Sequence, residues 1–334
     1  MSIKTANLGF PRIGRKRELK FALESYWAGK SSATALLQSA RDLRHRYWRL
    51  QQEHGIDVIP SNDFSLYDHV LDHAVMVGAI PDGYGWTGGP VCMDTYFALA
   101  RGERGVDTKE CGCATPHGSG RPALEMTKWF DTNYHYLVPE FQAGQAFSLT
   151  RNRPLDAFLE AREIGIHTRP VILGPVTFLT LGKARDGSDP LDLLDRLLPV
   201  YRQILTELHE AGADWVQIDE PILSLDLPPE WLAAYPAVFR ELAGAGPKVL
   251  LATYFGDVGQ HAAWLKQLPI AGLHLDLVRA PRQLEFFLDG WPQDKVLSLG
   301  LIDGRNLWRA DLAGLLARAR QARLALGERL WLSA

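Results

Sequence analysis

Cysteine is scarce in this sequence. Three occur in 334 residues, Cys92, Cys111 and Cys113, too few and too clustered for a disulfide framework, so a reducing cytoplasm is the expected compartment. Long apolar runs are missing too. The longest, such as 74–80, fall far short of the roughly 18 residues that a membrane span needs. The N-terminus, Met-Ser-Ile-Lys-Thr-Ala-Asn, has no apolar stretch behind its one lysine and does not read as a secretory signal. Nor is there an excess of one charge: 36 Lys and Arg face 39 Asp and Glu, a net −3. Neither nucleic acid nor a membrane surface is an expected partner on that balance. No Gly-x-Gly-x-x-Gly loop follows an expected strand, and no His-Glu-x-x-His, Gly-x-Ser-x-Gly or Walker loop occurs.

What is present is an ordinary globular mixture, 46% hydrophobic and 22% charged. From residue 169 onward, short apolar runs alternate with amphipathic stretches. The runs at 170–173, 215–218, 249–253, 272–275, 296–301 and 330–332 suit strands buried on both faces of a parallel sheet. Helices are expected at 191–211, 229–242, 260–268, 281–288 and 312–326, with Gly212, Gly244, Gly246 and Gly327 as left-handed caps behind them. Further strands at 6–9 and 58–60 bring the count to eight, which makes the fold class α/β, a (β/α)8 TIM barrel. A doubly wound sheet is the rival, and the missing phosphate loop counts against it. One domain is expected over 1–334. Its insertions fall within 1–165: helices at 17–28 and 33–54 and loops at 82–90 and 101–122. The chain stops in an expected strand that would ordinarily lead to a closing helix, so a truncated chain is expected.

Gln217-Ile218-Asp219-Glu220-Pro221 places two carboxylates at the end of a buried strand, where barrel enzymes keep their active groups. They could serve acid/base chemistry or cation binding, or simply cap the turn. Neighbours on a strand face opposite ways, which argues against an autonomous hydrolase using Asp219 and Glu220 on one bond. Thr253-Tyr254, His274 with Asp276, and Asp303-Gly304-Arg305-Asn306 would complete a polar floor. Cys111-Gly-Cys113-x-x-x-His117 invites a zinc reading, but it lacks the second ligand pair of a structural site and fits a loop better. Arg12, Arg15, Lys16, Arg17 and Lys20 cluster after Gly9-Phe10-Pro11. With Gly14 ahead of a helix, side chains and free N–H groups could hold an anion; a solvated basic turn is the equal alternative.

Several blocks carry a specific resemblance. Leu8-Gly9-Phe10-Pro11-Arg12-Ile13-Gly14, Arg17-Glu18-Leu19-Lys20, Tyr67-Asp68-His69-Val70-Leu71, the 125–136 block from Glu125-Met126-Thr127-Lys128 to Tyr136, Leu173-Gly174-Pro175-Val176-Thr177 and Gly300-Leu301-Ile302-Asp303-Gly304-Arg305-Asn306 resemble cobalamin-independent methionine synthase nearly end to end. The family has two barrels, and this chain resembles the N-terminal one. The resemblance implies methyl transfer from 5-methyltetrahydropteroyltriglutamate to homocysteine in methionine biosynthesis, without cobalamin. It implies a zinc held by the C-terminal barrel, where homocysteine binds, and no metal or catalytic residue in this chain. The isolated chain would then be inactive. Arg17, Glu18, Leu19, Lys20 and Lys128 match the family's folate-tail site. Cations suit a triglutamate, which brings several carboxylates. A stand-alone folate-polyglutamate module is the alternative. The stretch 109–120 departs from the family's pattern.

Overall fold

The computed structural model describes residues 3–103 and 120–334. Eight strands form one parallel sheet: β1 (Lys4–Ala6), β2 (Ile59–Ser61), β3 (Thr168–Leu173), β4 (Trp215–Asp219), β5 (Lys248–Ala252), β6 (Gly272–Asp276), β7 (Val296–Gly300) and β8 (Leu330–Ser333). Hydrogen-bonded neighbours run β1-β8-β7-β6-β5-β4-β3-β2. The two ends meet through a parallel bridge between Ala6 and Val58, where the Val58 N–H donates to Thr5 O at 3.0 Å. Closure into a barrel leaves no free edge.

The helices follow the apolar periodicity. Between β1 and β2 lie α1 (Glu18–Trp27) and α2 (Ala33–Glu53); between β2 and β3 lie α3 (His69–Met76), α4 (Met93–Arg101) and α5 (Arg153–Glu163). The outer ring continues with α6 (Pro175–Leu181), α7 (Leu194–Glu210), α8 (Pro229–Ala243), α9 (Ala262–Leu265), α10 (Gln283–Leu288) and α11 (Leu312–Leu326). On α7, Leu197, Tyr201, Ile204, Leu205 and Leu208 are fully buried against the barrel. A leucine so placed contributes about 1.5–3 kcal/mol. A second apolar cluster joins α1, α2, α3 and α4 through Leu19, Leu43, Leu71 and Leu99.

Some expectations shift. The strand expected at 6–9 lies at Lys4–Ala6, because Leu8 to Pro11 turn across the barrel mouth and the Phe10 N–H is given to Asp63. The helix expected at 191–211 opens with a 3-10 turn at Pro190–Leu193, and that at 260–268 is a 3-10 turn followed by the short α9. Gly212, Gly246 and Gly327 have positive φ, as caps should, but Gly244 has φ −77°. The chain reverses two residues later, at Gly246, where a Cβ would fall 2.4 Å from the His209 ring.

Alternation along each strand stacks the barrel interior in layers. Trp215 and Trp331, with ring centroids 4.8 Å apart, close the lower end with Leu250 and Ala6. Inside the barrel stand Arg169, Gln217 (two residues past Trp215), His274 and Ser298, all buried. The next inward positions, Val171, Asp219, Asp276 and Gly300, reach the mouth.

Candidate binding site at the barrel mouth

A cavity of about 510 Å³ opens at the C-terminal ends of the strands, where barrel enzymes bind their ligands. Its walls include Leu8 to Pro11, Asn62 to Ser65, Asp219, Tyr254, Phe255, His274, Asp276, Asp303 and Arg305. Most of the expected polar floor is present, but Thr253 and Asn306 are not in the cavity wall, and the Thr253 hydroxyl donates instead to His274 O at 2.8 Å. Asp219 accepts from Gln217 Nε2 at 2.6 Å and from the Tyr254 hydroxyl at 3.1 Å. Burial pushes its pKa up to about 6. Asp63 is raised to about 6 by the same cause, although the Phe10 N–H donates to it at 2.7 Å. Beneath them Arg169 is 2% exposed and donates from Nη2 to Asn7 O at 2.5 Å. Burial lowers it to about 10, against the pull of Asp219 and Asp63, so it stays charged at neutral pH. His274 is pushed down to about 3 by burial and is neutral, with Nδ1 2.9 Å from Ser298 Oγ.

Glu220 faces the other way. It accepts from Val176 N at 3.1 Å, Thr177 N at 2.8 Å, Thr177 Oγ1 at 2.6 Å and the Tyr235 hydroxyl at 3.0 Å. It caps the start of α6 from the neighbouring strand end, and burial raises it to about 7 despite four donors. Gly174 leaves it that room: a Cβ there would sit 2.1 Å from Glu220 Oε1. Asp219 belongs to the cavity and Glu220 to the scaffold.

The basic segment hangs on the cavity rim. Arg12 spends its guanidinium on three carbonyls, Ser65 and Leu66 at 3.1 Å and Tyr67 at 2.6 Å. Its cation anchors the loop. The expected free N–H groups ahead of α1 are occupied: Lys16 N–H donates to Glu18 Oε2 at 2.8 Å, Arg17 N–H to Gly14 O at 3.0 Å and Leu19 N–H to Ile13 O at 3.1 Å. Main-chain N–H groups and Arg46, 2.8 Å from its other oxygen, hold the Glu18 carboxyl below the usual carboxylate range. The Leu19 side chain is fully buried. Arg17 and Lys20 are exposed; Lys20 lies 3.6 Å from Glu24 in a pair that solvent leaves weak.

Lys128 stands on the exposed face of an antiparallel hairpin, Met126–Lys128 with His135–Leu137. That hairpin and the basic segment are tied to the same block. The Tyr134 hydroxyl donates to Asp68 at 2.5 Å, Leu137 N–H donates to Asp68 at 3.1 Å, and the Trp129 ring meets His69 edge-on at 4.4 Å. Arg12 holds the neighbouring Tyr67 carbonyl. Neither Arg17, Lys20 nor Lys128 lines the cavity itself.

Sequence reasoning missed Asp63, Arg169 and Asp68. A charged residue one place ahead of an apolar run, as Arg169 is, was the available signal for a polar barrel interior. Cys111, Cys113 and His117 lie outside the described residues. Among the described residues no group of three or more His, Cys, Asp or Glu could hold a metal ion, and no helix is long and apolar enough to cross a membrane.

Residues 4–326 match the N-terminal domain of the cobalamin-independent synthase family. Two relatives named 5-methyltetrahydropteroyltriglutamate–homocysteine methyltransferase are similar over 95% of the chain. One, from Chelativorans sp. (strain BNC1), is 58% identical over 317 residues, and the other, from Caulobacter vibrioides, is 59% identical over 325. The chain spans 41% and 42% of their lengths. A solved B12-independent methionine synthase from Shewanella sp. W3-18-1, in complex with selenomethionine, is similar in fold with a TM-score of 0.65 at 15% identity. That match covers 99% of this chain and 90% of that one.

The raised Asp219 has a measurable consequence. The native state holds its proton between about pH 4 and 6, where the unfolded chain has lost it. Asp219 therefore favours folding at low pH, and the contribution is lost as pH rises through about 6. Asn cannot ionise, so Asp219→Asn should gain stability relative to the wild type between pH 4 and 7, with a level difference below pH 4. Denaturant melts at pH 3.5, 5 and 7 check this; a difference independent of pH contradicts it.

Proposed function

Because the chain belongs to the family of cobalamin-independent synthase N-terminal domains, we propose that it is the folate-tail-binding half of a 5-methyltetrahydropteroyltriglutamate–homocysteine methyltransferase. The observation that carries this reading is the shared anchorage of two cationic segments. The segment with Arg17 and Lys20 is tied through Arg12 to Tyr67, and the hairpin with Lys128 is tied to Asp68 and His69, so both are fastened to one short block. Arg17 and Lys128 have no ion-pair partner among the described residues, so their charge is available to an incoming polyanion. Glutamate carboxylates would meet these cations through charge-assisted hydrogen bonds. Glu18 and Leu19 serve the same site indirectly, one by holding the turn ahead of α1 and the other by seating the helix on its core. The low cysteine count supports a cytoplasmic setting.

Methyl transfer itself lies with the longer protein. The family's zinc and homocysteine belong to a second barrel, and the described residues of this chain do not fit a zinc site. Leu307 is 100% exposed and Trp308 85% exposed, just after β7 at the mouth. So large an apolar pair in water suits a covering surface, whether a second barrel of the same chain or a separate partner. The isolated chain is expected to yield no methionine from homocysteine and the methylated folate with zinc added; turnover by this chain alone would refute the division of labour.

The tail reading makes a sharper claim. Charge-assisted bonds contribute about 1.5–3 kcal/mol each when desolvated and less when exposed. Two additional glutamates should therefore strengthen binding about ten- to a hundredfold at low salt. The preference should shrink with added salt, and Lys128→Ala should weaken the triglutamate while sparing the monoglutamate. Calorimetry with both ligands at two salt concentrations measures it. Equal affinities, unmoved by alanine at 17, 20 or 128, would make the cluster a solvated face.

A further inference from the structure

Among the described residues, four that are not glycine hold a left-handed backbone: Arg17 at φ 61°, Asn62 at 61°, Phe130 at 50° and Phe255 at 74°. Three of them lie at the barrel mouth, Asn62 and Phe255 in the cavity wall and Phe130, in the turn of the Lys128 hairpin, against Phe255. Arg17 begins α1. Such conformations persist only where the surroundings hold them. Here two of them hold each other, with the Phe130 and Phe255 rings 5.2 Å apart.

The next residue is charged. Asp131 Oδ2 lies 2.8 Å from Arg279 Nη1, and its Oδ1 lies 3.7 Å from Arg305 Nη1. Arg279 follows β6 and Arg305 follows β7, so one carboxylate bridges two adjacent strand ends. The Arg305 guanidinium also rests over the Phe255 ring at 5.3 Å. At the base of the hairpin, Glu125 pairs with Lys183 at 2.6 Å. Lys128 lies between these two fastenings, neither of which uses its charge.

We propose that Asp131, with Arg279 and Arg305, is a latch that fixes the hairpin turn across the barrel mouth and so positions Lys128 for the glutamate tail. The inference rests on the tail reading and adds a positioning residue that never touches the ligand. Half-exposed ion pairs contribute little to global stability, which separates this role from a scaffold role. The carboxylate near an anionic tail would be repulsive if bare; two guanidinium groups leave this cluster net positive.

Asp131→Asn tests it, since the shape is kept and the charge is lost. Amide hydrogen exchange across 126–137 should quicken by about threefold or more with little change in melting temperature. The triglutamate-over-monoglutamate preference should fall by about threefold or more, and adding Lys128→Ala to Asp131→Asn should cost no more than Lys128→Ala alone, the non-additivity of coupled sites. Asp131→Glu should retain most of the preference. Unchanged exchange in Asp131→Asn overturns the latch whatever the ligand does. A preference that falls in Lys128→Ala but not in Asp131→Asn overturns positioning and leaves the tail reading standing. A preference unmoved by Lys128→Ala defeats the tail reading, and the exchange data still judge the latch.

Discussion

The Asp68 carboxylate is 1% exposed, and the arrangement of the mouth depends on it. One oxygen takes the Tyr134 hydroxyl at 2.5 Å; the other takes Leu71 N–H at 2.8 Å and Leu137 N–H at 3.1 Å. It caps α3 and fastens the Lys128 hairpin to that helix at once. Three donors offset the desolvation that would otherwise forbid a buried carboxylate. Arg12 attaches the Arg17 segment to the same loop through carbonyls that directly precede Asp68. Two cationic segments far apart in sequence thus share one rigid mount.

The mount stands on an unusual barrel interior. Above the apolar plug of Trp215 and Trp331, the second layer carries Arg169, Gln217, His274 and Ser298. Among the described residues, Arg169 Nε and Nη1 and Gln217 Oε1 have no hydrogen-bond partner, an arrangement that disfavours folding. What they hold in return is the mouth: Arg169 secures Asn7 O, and Gln217 secures Asp219 and Leu8 O. The loop from Asn7 to Arg12, on which the Arg17 segment depends, is set from below by polar contacts. The charge that raises stability concerns in the core is the charge that shapes the site.

The barrel was legible because most of its strands are buried along their length and appear as short, mainly apolar runs, and because β4 to β8 alternate with helices at regular spacing. Its boundaries were less so. Leu8 reads as strand by composition, yet Gln217 donates to its carbonyl and the Phe10 N–H donates to Asp63, which turns the segment across the mouth. The free N–H groups expected ahead of α1 were spent on Glu18 and Gly14, since Gly14 and Arg17 adopt left-handed conformations that fold the turn onto itself. For Asp219 and Glu220, alternation along a strand correctly separated the pair, and only their surroundings assigned the roles. The candidate tail residues came from a motif resemblance. Leu19 within that motif proved a core residue, while Asp68 and Asp131 gain their meaning from partners that are distant in sequence and invisible to local pattern.

The central claim is that one rim presents Arg17, Lys20 and Lys128 together to a polyglutamate. Amide hydrogen exchange on the chain with and without a γ-linked triglutamate peptide lacking the pterin tests it most directly. The account predicts slowed exchange in both 13–21 and 126–137, lost in high salt and absent with a single glutamate. Slowing in one segment alone, or equal slowing by glutamate and triglutamate, would contradict a shared clamp.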